Sequence, residues 1–122
     1  AGMDQAFAAL LSDLESRGML ERTMVVFLTE FGRTPKINAR GGRDHWGAAG
    51  SIFFAGGGVK GGQVIGETDH HAAEPLTRPI SPADVAATMY AGLGINPRGQ
   101  VEDILQRPRL ILEQGRPIAE LF

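Results

Sequence analysis

The chain has 122 residues, twelve Lys and Arg against fourteen Asp and Glu for a formal charge of -2, and 43% hydrophobic residues. That balance excludes a largely disordered chain, and the lack of basic excess argues against nucleic acid or an anionic membrane as partner. With no Cys, disulfides, zinc–thiolate centres and thiol catalysis are excluded, and no apolar run approaches the roughly 18 residues of a membrane span.

The 17 glycines are about twice the usual share, so tight turns and loops are expected along much of the chain. Ala1-Gly2-Met3-Asp4 run directly into a helical pattern. Met3 reads either as an initiator behind a two-residue remnant or as part of a piece of a longer protein. Asp4 is placed to cap a helix, and Phe7, Leu10, Leu11 and Leu14 form an apolar stripe. The spacing predicts a helix over 4–17, closed by Gly18. Residues 24–29, Met-Val-Val-Phe-Leu-Thr, are apolar on both faces, as in a buried parallel strand. A helix linked to a buried strand suggests an α/β layer fold.

Residues 30–49 lack periodicity and carry most of the polar chemistry. A polar loop after a buried strand is where open α/β sheets place active sites. Ser51-Ile52-Phe53-Phe54-Ala55 reads as a second buried strand. Residues 56–62 hold five glycines and fit G-x-G-x-x-G in form. No helical pattern follows, so a turn with several positive φ angles is expected and not a nucleotide site. Residues 63–66 read as a short strand. Ser81-Pro82-Ala83-Asp84 is a capping sequence that opens a helix over 82–93, closed by Gly94. The stretch from Asn96 to Phe122 reads as mostly irregular.

The densest polar constellation is Thr29-Glu30-Phe31-Gly32-Arg33-Thr34-Pro35 followed by Gly41-Gly42-Arg43-Asp44-His45-Trp46-Gly47. A carboxylate and an imidazole are a half-set of ligands for a divalent metal, and Arg suits a bidentate hold on phosphate, sulfate or carboxylate. Metal-assisted ester hydrolysis uses such parts. The bland alternative is a salt-bridge network that pins a long loop, with Trp46 as its apolar anchor. Asp69-His70-His71 reads as a solvated loop, because adjacent His side chains diverge on most backbones. No G-x-S-x-G nucleophile elbow is present.

The stretches 24–35, 42–46 and 55–62, with 81–90 and Arg116-Pro117-Ile118, resemble the C-terminal part of the DUF1501 proteins. These are sulfatase-like members of the alkaline phosphatase superfamily, and full-length members are several times longer. The resemblance implies the C-terminal part of an alkaline phosphatase-like α/β sandwich with a mainly parallel sheet, either as one domain over 1–122 or as a fragment. In the superfamily a strand ends in a metal-binding Asp-His, with a further His downstream. Glu30 stands at the Asp position and His45 looks like the downstream His. Phe31 occupies the His position and cannot bind metal.

The expected function is the C-terminal segment of a sulfatase- or phosphatase-like hydrolase of ester-linked anions, its nucleophile outside this chain. Glu30, His45 and Asp44 are the candidate metal ligands, for Ca, Zn or Mg, with Asp44 alternatively orienting His45. Arg33 and Arg43 would hold a small anionic ester. The alternative is a non-catalytic binding or structural relative that has lost ligands, and a third reading is a free-standing small oligomer. Glu30 and His45 are expected to converge. The two-faced strands need covering layers, so self-association, or contact with a missing N-terminal part of the same protein, is expected.

Overall fold

Phe7, Leu11 and Leu14 recur at i, i+4 and i+7, and they are the half-buried positions of helix α1 (Gly2–Ser16) in the computed structural model, which describes residues 2–122. The helix begins before Asp4, which therefore lies in its first turn rather than capping it. At the other end Gly18 turns to φ +63°, and the Met19 and Gly18 N–H groups donate to the Leu14 and Glu15 carbonyls. That is the paired bonding that satisfies carbonyls left open at a helix end.

A 3-10 turn, Leu20–Arg22, leads into four short strands: β1 (Val25–Phe27), β2 (Gly32–Arg33), β3 (His45–Trp46) and β4 (Phe53–Ala55). β1 pairs with β4 and β2 with β3, both antiparallel. Phe27 and Phe53 are register partners, and Phe7 of α1 packs edge-on to Phe53 at 4.3 Å between ring centroids. These three rings form a partly exposed aromatic cluster in the unit Ala1–Pro79. β5 (Glu67–Thr68) and β6 (Pro75–Thr77) close this unit as an antiparallel hairpin.

The unit Ile80–Phe122 holds helix α2 (Pro82–Gly92), hairpin strands β7 (Gln100–Glu102) and β8 (Pro108–Leu110), and a 3-10 turn, Ala119–Leu121. The sequence expectation for α2 holds: Ser81 caps it, and the Ser81 and Asp84 side chains each accept the other's backbone N–H. Asp84 does more, because its Oδ1 also accepts the Arg116 N–H at 2.8 Å. One turn further, Thr88 Oγ1 accepts the Ile118 N–H at 2.9 Å. Gly115 lies so near the helix that a side chain there would come within 2.5 Å of the Ala83 carbonyl carbon. Ala87, Thr88, Ile118 and Leu121 are the buried residues among those described, and all belong to this unit.

The mainly parallel sheet and the alkaline phosphatase-like α/β sandwich are overturned. The described residues form four separate two-stranded sheets, each antiparallel. Apolarity on both faces does not encode strand direction. A parallel pair needs a crossover, usually a helix, and the segment between β1 and β4 carries the β2–β3 ribbon instead. The strand expected over 63–66 starts later, at Glu67.

The C-terminal stretch, expected to be irregular, contains a hairpin. Its turn is built by Asp103, whose carboxylate accepts N–H groups of Leu105 and Arg107 and the Nε–H groups of Arg107 and Arg109. The glycine loop is a turn, as expected, with positive φ at Gly56, Gly57, Gly58 and Gly62. Gly56 sits against the chain before β1, where a side chain would meet the Leu20 carbonyl oxygen at 2.6 Å.

Thr88→Val keeps the shape of the side chain but leaves the buried Ile118 N–H without its acceptor. The expected loss is about 1–3 kcal/mol, read as a lower urea midpoint at unchanged slope, with Thr88→Ser restoring most of it.

Candidate functional site

The β2–β3 ribbon is formed by the two motif segments singled out in the sequence. Arg33 pairs with His45, and Gly32 with Trp46. Side chains alternate between the faces of a strand, so Arg33 and His45 share one face and Trp46 lies on the other. Gly32 admits no side chain, because the Ala49 carbonyl occupies that space, its carbon 2.9 Å from where a Cβ would stand.

Three groups hold the register. The Thr34 N–H donates to the Asp44 carbonyl, and the Asp44 N–H donates to Thr34 Oγ1, both at 3.0 Å. The Arg43 guanidinium donates to the carbonyls of Thr34, at 2.7 Å, and Pro35. The loop beyond is closed by Asn38, whose Oδ1 accepts the Arg40 and Gly42 N–H groups. The loop is pinned, as the bland reading supposed, but by hydrogen bonds to backbone and amide groups.

On the first face, the His45 ring stacks on Phe31, with centroids 3.8 Å apart and planes 24° apart. The Arg33 guanidinium lies 5.4 Å from the Phe31 ring centre, within cation–π range, and donates to the Arg43 carbonyl at 3.3 Å. Arg33 and His45 are both exposed. Arg33, His45 and Phe31 are thus brought together.

Arg43 is brought close too, but its guanidinium is engaged by carbonyls. The Asp44 carboxylate accepts from the Asn38 amide at 2.8 Å. Glu30 is exposed in a bend just before β2. Among the described residues no three His, Asp or Glu side chains gather so as to hold a metal ion, so Glu30, Asp44 and His45 do not make up a complete ligand set by themselves.

On the second face, Trp46 is half-buried and its indole N–H donates to the Ala73 carbonyl at 2.7 Å. That bond ties the ribbon to the β5–β6 hairpin tip. An open groove of about 610 Å³ runs there, lined by Thr34, Pro35, Lys36, Trp46, His70, His71 and Ala73. The two imidazoles are exposed, as the sequence suggested, but their rings are only 3.7 Å apart between centroids. The joining of His70 and His71 to Lys36 and Trp46 was missed in the sequence. The only signal available was Trp46 as an apolar anchor, and nothing in the spacing said what it anchors to.

The hairpin tip is set by Asp69. Its Oδ1 accepts the Ala73 N–H at 2.6 Å and the Glu74 N–H at 3.4 Å. The Ala73 bond is the main reason its carboxyl is held below the usual 3.8. A carboxylate of lowered pKa stabilises the folded tip above its ordinary value, and this contribution is lost as pH falls through the lowered one. The Asp69 carboxyl carbon is expected to titrate by NMR below 3.8, with the Ala73 amide proton following the same midpoint. A midpoint at or above 3.8 would contradict the bond.

A family model described as "Protein of unknown function (DUF1501)" matches residues 1–122. No curated protein matches, and no solved structure does.

Proposed function

The chain belongs to the DUF1501 family, and from that premise we propose that it carries the anion-binding part of a sulfatase- or phosphatase-like ester hydrolase. The observation that carries this reading is the exposed Arg33–His45 face of the β2–β3 ribbon. There a guanidinium, fixed over Phe31, can take an oxyanion through paired donors. His45 beside it offers a donor or a basic nitrogen at the same spot. Arg43 acts behind this face: by closing the loop on Thr34 and Pro35 it sets the position from which Arg33 reaches the anion. The resemblance in the motif residues supports the ester-hydrolase class. In this reading the nucleophile comes from a segment outside these residues, and so do ligands that would complete a divalent metal site with His45, Glu30 or Asp44.

A second reading, a non-catalytic relative that binds anions, is favoured by one observation: Phe31 stacks on His45 where the superfamily places a metal-binding His. In the complete protein, Arg33→Ala is expected to lower kcat/KM on an aryl sulfate or aryl phosphate by about 100-fold, as for loss of one oxyanion donor. Arg40→Ala, an exposed change outside the ribbon, should leave it unaltered. Absence of turnover on both esters, with no divalent metal found by elemental analysis of the complete protein, would establish the second reading.

A further inference from the structure

The groove on the Trp46 face lies across the ribbon from Arg33 and His45, and it has its own chemistry. We propose that it is a binding site for a monosaccharide-sized polyol ring bearing one phosphate or sulfate group. Lys36 supplies the charge. Among the described residues its ammonium pairs with no carboxylate, whereas Arg17, Arg107 and Arg109 each pair with an Asp and Arg43 is taken up by carbonyls.

His70 and His71 supply the hydroxyl contacts. A neutral imidazole offers one donor and one acceptor, and two side by side, their planes tilted by 40°, bring both kinds of group together. Trp46 supplies the apolar wall. Its N–H is taken by Ala73, so the ring is what remains for the ligand. A sugar ring has an apolar side and a rim of hydroxyls, and an ester group adds the charge, which matches all three.

Size and rigidity agree with this. The groove of about 610 Å³ falls within the roughly 300–1,000 Å³ of small-molecule sites. Its two walls are fixed before any ligand arrives, one by Arg43 on the loop carbonyls and the other by Asp69 on the tip N–H groups. Walls fixed in advance lose little freedom on binding. In the tip, the Asp69 carboxylate accepts those N–H groups and also lies beside His71. The site stands whether or not the Arg33–His45 face hydrolyses esters, because binding alone is read.

Trp46 is the sole tryptophan, so intrinsic fluorescence reports this groove directly. The full chain is titrated with glucose 6-phosphate, glucose 6-sulfate, glucose and inorganic phosphate, with calorimetry alongside in case the emission is silent. Saturable binding of one or both esters is expected, at least about tenfold tighter than glucose or inorganic phosphate, the difference that one charge-assisted hydrogen bond makes. The ester that binds identifies the charged group.

Lys36→Ala and the double variant His70→Ala/His71→Ala should each weaken binding by about tenfold or more. Lys36→Arg should retain it, and Arg40→Ala should change nothing, with circular dichroism confirming folding of each variant. No saturable binding of either ester by either method would overturn the proposal. So would inorganic phosphate binding as tightly as the esters, or undiminished binding by folded Lys36→Ala.

Discussion

Arg33 faces His45 across β2 and β3 because Thr34 and Asp44 hold each other just beyond them, and every other feature of the candidate site follows from that register. A slip of one residue would carry each side chain to the opposite face. His45 would leave Phe31, and Trp46 would leave the Ala73 carbonyl. A ribbon with two residues per strand has little pairing energy of its own to resist this. Resistance comes from its ends: the Thr34 hydroxyl takes the Asp44 N–H, and Arg43 reaches back to two carbonyls. The two motif arginines are therefore divided in role, Arg43 building the ribbon and Arg33 left at its surface.

What was legible in the sequence was local. Ser81, Pro82 and Asp84 lie within one turn of each other, and their capping of α2 needs nothing from elsewhere in the chain. The end of α1 at Gly18 is equally self-contained, and the left-handed glycines of the 56–62 turn were legible from residue type alone. What could not be read was pairing. Val25, Val26 and Phe27 look alike whichever way their partner runs, and the polar segment after them gave no hint that it would fold back as a ribbon. The β7–β8 hairpin was hidden for another reason. Its turn has no glycine and depends on one carboxylate accepting four donors, an arrangement that residue type alone does not announce. At the site, the motif residues were recognised, and Arg33 and His45 do share a face. The use of Arg43 on backbone carbonyls and the meeting of Trp46 with the 69–73 tip are tertiary facts without a sequence period.

Asp69, Asp84 and Asp103 have one function in three places. Each accepts backbone N–H groups that no strand or helix ladder would satisfy. The described residues include only four buried side chains, so these turns draw little support from apolar packing. Carboxylate-to-backbone bonds are strong for their size, and they fix geometry where the chain reverses. This explains how a glycine-rich chain presents defined loops: its permissive residues let the backbone bend, and its aspartates select which bend is kept.

The docking of the tail on α2 also rests on a match of two lengths. Residues i and i+4 on a helix are about 6.0 Å apart along the axis, and N–H groups two residues apart on an extended strand are about 6.6 Å apart. Asp84 and Thr88 can therefore match Arg116 and Ile118 with a small misfit at the second contact. A third contact would double that misfit. It would also fall at Gly92, which has no side chain to offer. After Ile118, which is extended, the chain enters the 3-10 turn at Ala119–Leu121. The rise of the helix thus lets two acceptors one turn apart on α2 meet alternate N–H groups of the tail.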